Sequence, residues 1–126
     1  MPKLRVVRVL DAPSFPAFYR VIWQAHVAEW TDLESADRAL CLEAVARVEQ
    51  ALRSVLAPRK VNLASLGNMV PHLHWHVVAR FDWDTHFPQP IWGAAERAAD
   101  DGRLSIVRER LALVDQNVAQ TVAELA

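Results

Sequence analysis

The sequence predicts an α+β domain: a mainly antiparallel sheet of about four to five strands, one long central helix and a C-terminal helix. Three observations predict it. Two long stretches repeat apolar residues every three or four positions, the pattern of an amphipathic helix. Four short runs are rich in Val, Leu, Ile and aromatic residues, as strands are. The order is β-β-α-β-β-α, which lacks the strict alternation that builds a parallel sheet. The 126 residues suit one domain, expected over 1–126.

In chain order, residues 4–10 (LRVVRVL) read as the first strand and 18–24 (FYRVIWQ) as the second, with a turn at Asp11-Ala12-Pro13-Ser14 between them. Thr31-Asp32-Leu33-Glu34 has the spacing of a capping box at a helix start. Beyond it Cys41, Ala44, Val45, Val48, Leu52, Val55 and Leu56 recur at helical spacing, giving a helix over about 34–56 that Ala57-Pro58 ends. Residues 60–66 and 70–81 read as the third and fourth strands, with a turn at Gly67-Asn68. Residues 82–93 are irregular. The stripe Leu104, Val107, Leu111, Val114, Val118, Val122, Leu125 predicts a helix over about 103–125, whose spacing suits packing on a partner chain or, as expected first, on its own sheet.

Charge narrows the function. Fourteen Lys and Arg stand against fifteen Asp and Glu, a net charge of −1. A nucleic-acid polymer needs a basic surface, so no such partner is expected; one small phosphorylated ligand remains compatible. Cys41 is the single cysteine and reads as a buried helix residue. No apolar run approaches the ~18–20 residues of a membrane span. Met1-Pro2-Lys3-Leu4 leads straight into a strand pattern without a signal core, so the cytoplasm is the expected compartment.

Three of the five histidines, His72, His74 and His76, lie within five residues. Strand side chains alternate between faces, so these imidazoles share one face ~6–7 Å apart, and Leu73, Trp75 and Val77 share the other. Aligned imidazoles can supply a nucleophile and a neighbour that orients it. They can also bind metal, but the outer two are ~13 Å apart at the backbone, so a third ligand would come from elsewhere, with His86 or Asp84 as candidates. Upstream, Asn62 and Gly67 precede the cluster. Gly67 sits where a turn needs positive φ or close approach to a ligand, and backbone N–H groups there can cradle an anion.

VNLASLGNMVPHLHWHVVAR (Val61 to Arg80) resembles the signature of the histidine triad (HIT) family of nucleotide hydrolases and transferases. The family pattern is Asn, a short Gly-containing loop, then His-apolar-His-apolar-His. The segment from Pro16 through His26 to Leu33 is similar to the strand and loop before the family's long helix. The resemblance covers about residues 4–93 and is nearest to short bacterial HIT-like proteins, of the diadenosine polyphosphate hydrolase kind. It implies a cofactor-free enzyme that dimerises and acts at the α-phosphorus of dinucleoside polyphosphates or nucleoside phosphoramidates. His74 maps to the nucleophile that forms a nucleotidyl-histidine. His72 and His76 map to positioning and phosphate or leaving-group contacts. Asn62 and the turn of Gly67, Asn68 and Met69 map to phosphate and ribose contacts.

The sequence departs from the family at two places. Met69 cannot donate a side-chain hydrogen bond where Ser or Thr often stands. Phe18 lies near the position of an earlier family histidine. Both keep open a nucleotide-binding module with weak catalysis, and the imidazole cluster keeps open a metal-binding protein. His26 is expected as a surface loop residue, and Trp75 in the core. Arg80 is expected either to reach phosphate or to end its strand in solvent. Trp83, Trp92 and Phe87 are expected to stack a base, cover a partner or pack.

Overall fold

The four strands, β1 (Leu4–Arg8), β2 (Phe18–Trp23), β3 (Lys60–Ala64) and β4 (His74–Arg80), form one antiparallel sheet in the order β1-β2-β4-β3. Helix α1 (Ser35–Leu56) lies between β2 and β3, and α2 (Asp101–Ala123) follows β4. The computed structural model describes residues 3–125. The expected span 1–126 includes Met1, Pro2 and Ala126, which lie outside the described residues. The α+β class and the order of elements match the expectation, with four strands in the sheet.

One sheet face carries Leu4, Tyr19, Val21, Trp23, Val61, Val77 and Ala79, all buried against α1 and α2. Val48 and Leu52 of α1 and Val114 of α2 are fully buried, each contributing about 1.5–3 kcal/mol by leaving water. Helix α2 packs mainly along α1 rather than on the sheet, which corrects the expectation for its stripe. The reason is that α1 already covers β2, β3 and β4. Helix α2 reaches the sheet at Asp115, which accepts from Arg8 Nη2 (3.0 Å) and the Tyr19 hydroxyl (2.5 Å).

Helix α1 starts where its apolar stripe predicts, but Thr31-Asp32-Leu33-Glu34 does not form its capping box. Trp30–Asp32 form a short 3₁₀ turn, in which the Asp32 carboxylate accepts from the Glu29 N–H at 3.0 Å. Glu34 is the N-cap of α1 without a side-chain cap bond. The helix ends as expected, with Ala57 in the left-handed region at φ 47° ahead of Pro58. Strand β4 is shorter than the run 70–81. Pro71 has no N–H for a ladder, and His72 N–H turns back to the Val70 carbonyl at 2.8 Å. His72 therefore precedes the strand instead of sitting on it.

The irregular segment after β4 folds back across the second sheet face. Its anchor is a buried ion pair: Asp84 accepts from Arg80 Nε at 2.8 Å and Nη2 at 3.1 Å. The same carboxylate accepts from the N–H groups of Phe81, His86 and Phe87. Arg80 also donates to the Gln89 carbonyl at 2.7 Å. Val9, Phe15, Phe18 and Val78 form a small second core beneath this segment, with Ile91 packed against it. The remainder of that face stays open.

Candidate functional site

The open part of the second face lies over β4, which runs between β2 and β3. Register places Ile22 of β2 across from His74, Arg20 across from His76, and Arg5 of β1 across from Ile22. The loop from Leu66 to Val70 forms one wall of the hollow and Trp92 closes an end. Its volume is about 540 Å³, and His72, His74 and His76 all line it. A second hollow of about 450 Å³ lies between β1 and α2, lined by Leu4, Val6, Val118 and Val122 without any histidine.

Each imidazole is held differently. His74 Nδ1 lies 2.6 Å from the backbone carbonyl of His72, so the hydrogen is on Nδ1 and the Nε2 lone pair is free in the neutral ring. Ser65 Oγ donates to the His74 carbonyl at 2.9 Å and fixes the start of the strand. His72 Nε2 lies 2.5 Å from the Trp23 carbonyl, and its Nδ1 lies 2.9 Å from His26 Nδ1. His76 is 6% exposed, with Phe18 and Trp92 against its ring at 5.5 and 5.2 Å. Burial, then the His74 and Arg20 charges, push its pKa down to about 4, so it is neutral at physiological pH. The His74 and His76 rings meet edge to face at 4.9 Å.

The residues singled out in the sequence divide into those that line the hollow and those that do not. Gly67, Asn68 and Met69 line it, with Gly67 at φ +77° and Met69 94% exposed. Asn62 shares the sheet face but gives its side-chain oxygen to Arg80 Nη1 at 2.8 Å. Arg80 corrects both of its expectations: it is 2% exposed and reaches neither solvent nor the hollow, because Asp84, Asn62 and the Gln89 carbonyl take its donors. Trp75 packs on the core side. Trp83 stacks on Phe81 beside α2, whereas Trp92 stands in the hollow. Burial pushes the Cys41 thiol up to about 11, which makes it inert.

Metal binding finds no built site among the described residues, where no group of three or more His, Cys, Asp or Glu is placed to hold an ion. The two proposed third ligands stand elsewhere. Asp84 is engaged by Arg80, and His86 pairs with Thr85 Oγ1 at 2.7 Å.

Sequence reasoning missed four residues. His26, expected as a plain surface residue, is exposed but stacks on His72 with ring centroids 5.2 Å apart. Arg20 had a signal: it is the single charge in β2 and alternates with the core residues Tyr19 and Val21. Arg5 and Ile22 join the hollow through strand register, which the sequence alone does not give.

The HIT domain family model matches residues 2–83, well over half the chain. The chain belongs to the HIT domain family. This HIT protein is similar to a histidine triad protein from Bradyrhizobium japonicum, at 28% identity and TM-score 0.75, covering 94% of this chain and 86% of that one. A histidine triad protein from Sinorhizobium meliloti is 25% identical with TM-score 0.70, covering 93% and 84%. A hypothetical histidine triad nucleotide-binding protein from Sulfolobus tokodaii shares the fold at 14% identity and TM-score 0.60, covering 98% and 80%. No curated protein sequence matches the chain. Among the described residues no helix is long and apolar enough to cross a membrane.

Proposed function

We propose that this HIT protein is a nucleotide hydrolase or nucleotidyl transferase acting at the α-phosphorus of nucleoside monophosphate derivatives, with His74 as nucleophile. The observation that carries this is the 2.6 Å contact from His74 Nδ1 to the His72 carbonyl, with the ring lining an open hollow. The Nε2 lone pair forms the N–P bond, and the bond from phosphorus to the leaving group breaks with its electrons on that group. The Nδ1–H held by the carbonyl stabilises the charged ring. Water then attacks phosphorus and gives up a proton to solvent, and the N–P bond breaks with its electrons returning to Nε2, which releases the nucleoside monophosphate and neutral His74.

The pieces around His74 suit that chemistry. Neutral His76 and the backbone N–H groups of the Gly67 turn are donors for phosphoryl oxygens, whose charge grows in the transition state. His72 and Asn68 stand at the same hollow. Asn62 acts indirectly, through Arg80 and the segment bearing Trp92. The protein works without a cofactor, as a homodimer in the cytoplasm; light scattering of the purified protein tests the dimer.

The test is intact-protein mass after incubation with diadenosine tetraphosphate and rapid quenching. Wild type gains one nucleotidyl group, and His74→Ala gains none and releases no monophosphate. Full turnover by His74→Ala overturns the assignment. Met69, exposed and without a donor, favours one other reading, a nucleotide-binding module with weak catalysis. Thermal stabilisation by nucleotide without any monophosphate release selects that reading.

A further inference from the structure

Two arginines enter the hollow from the strands beside the histidines. Arg20 lies across from His76, one strand spacing or ~5 Å away at the backbone. Arg5 lies two spacings, ~10 Å, from β4, in a row with Ile22 and His74. Elsewhere in the protein Arg8, Arg47 and Arg80 are neutralised by Asp115, Glu43 with Glu124, and Asp84. Among the described residues several arginines have no carboxylate partner, and Arg5 and Arg20 are the two of these that line the hollow. Arg20 Nε is buried with no hydrogen-bond acceptor, and its guanidinium stands 5.5 Å from the centre of the Phe18 ring. No acidic residue lines the hollow, in a chain whose net charge is −1. The local positive charge therefore comes from placement, not from composition.

Arg20 as a whole is half-buried, but a buried N–H without an acceptor is costly unless a ligand supplies one, and the planar guanidinium fork matches phosphate oxygens. A concave surface of one sign also concentrates the opposite ion. We propose that Arg5 and Arg20 form a subsite for a phosphate chain attached to the phosphorus that His74 attacks, so that nucleotides with an anionic polyphosphate leaving group are preferred over those with an uncharged amine. This rests on the nucleotidyl-transfer reading of His74. When the bond from the attacked phosphorus to the bridging oxygen breaks, its electron pair stays on that oxygen. The polyphosphate departs as an anion facing both guanidinium groups, which stabilise the charge as it develops. An amine leaving group must instead gain a proton, and a neighbouring cation opposes that.

The experiment compares wild type, Arg5→Gln and Arg20→Gln on diadenosine tetraphosphate and on an adenosine 5′-phosphoramidate of a neutral alkylamine. The ratio of kcat/KM for the polyphosphate over the phosphoramidate falls at least ~10-fold in each variant, and added salt lowers that ratio in wild type. Equal losses on both substrates, or no loss, overturn the proposal. Calorimetric binding of inorganic tripolyphosphate separates this subsite from the chemistry. Binding weakens at least ~10-fold in Arg5→Gln and Arg20→Gln and persists in His74→Ala. Persistence in His74→Ala with no nucleotidyl adduct in wild type removes the catalytic reading but keeps the anion subsite. Unchanged tripolyphosphate binding in both arginine variants removes the subsite whatever His74 does. Arg5 is exposed, so its variant remains informative if Arg20→Gln fails to fold.

Discussion

Nδ1 of His26 lies 2.9 Å from Nδ1 of His72, with the two rings stacked 18° from parallel. With the His72 hydrogen on Nε2 facing the Trp23 carbonyl, neutral His72 accepts at Nδ1 and His26 donates. His72 in turn offers its own carbonyl to His74. A loop residue far from the motif in sequence thus helps hold the residue that orients the nucleophile. His26→Phe keeps a ring over His72 but removes the donor. A net hydrogen bond of about 0.5–1.5 kcal/mol corresponds to a loss of about 2–10-fold in kcat. Steady-state kinetics on a substrate that wild type cleaves checks this; an unchanged kcat removes His26 from the positioning chain.

His76 makes stability depend on pH. Its pKa of about 4 in the folded protein lies below the ordinary 6.5, so the folded form holds it neutral. The groups facing it are His74 on its own strand, Arg20 on β2, and the rings of Phe18 and Trp92. Above pH 6.5 its contribution is complete. As pH falls from 6.5 toward 4 the unfolded chain takes up a proton that folded His76 refuses, at about 1.4 kcal/mol per unit. Urea unfolding of wild type therefore loses stability across that window, and His76→Gln loses measurably less. Identical slopes for the two proteins would contradict the assignment.

The Arg80–Asp84 pair ties the segment bearing Trp92 to the sheet, with both side chains 2% exposed. Burial works against the Asp84 charge, but Arg80 and three backbone N–H groups outweigh it and hold its pKa below the usual carboxylate range. Asp84→Ala strands a buried guanidinium, which costs about 3–5 kcal/mol. Chemical denaturation at neutral pH measures the loss; a change below ~1 kcal/mol would show that the pair is dispensable.

Gly67 holds φ +77° in the wall of the hollow. A Cβ there would meet the Val70 carbonyl at 3.6 Å, an ordinary contact, so any penalty is in the backbone. Gly67→Ala costs about 1–2 kcal/mol in stability, or the loop relaxes and nucleotide affinity falls. Thermal melting with and without nucleotide separates these two results, and neither change would mean the conformation is not required.

Much of this was legible in the chain. Period-2 alternation from His74 to Val77 and the three-four stripes of both helices are local consequences of side-chain geometry and burial, and they need no knowledge of neighbours. The Gly67 turn was legible because positive φ selects glycine. The burial of Arg80 is not legible in the chain because it depends on Asp84, which lies in a segment with no periodicity. The stripe of α2 told which face is apolar but not that α1 already occupied the sheet.

By itself the sequence determined the two helices and the histidine cluster through spacing along single elements, the fold class through the order of those elements, and the family through the resemblance of its motif. Only the tertiary structure decided which residues from other strands and loops share the hollow. Arg20 faces His76, Arg5 falls in line with His74, and His26 reaches His72. The physical reason is that strand register and loop closure are set by many distant contacts acting together. The charge beside the imidazoles follows from that register rather than from any local run of residues.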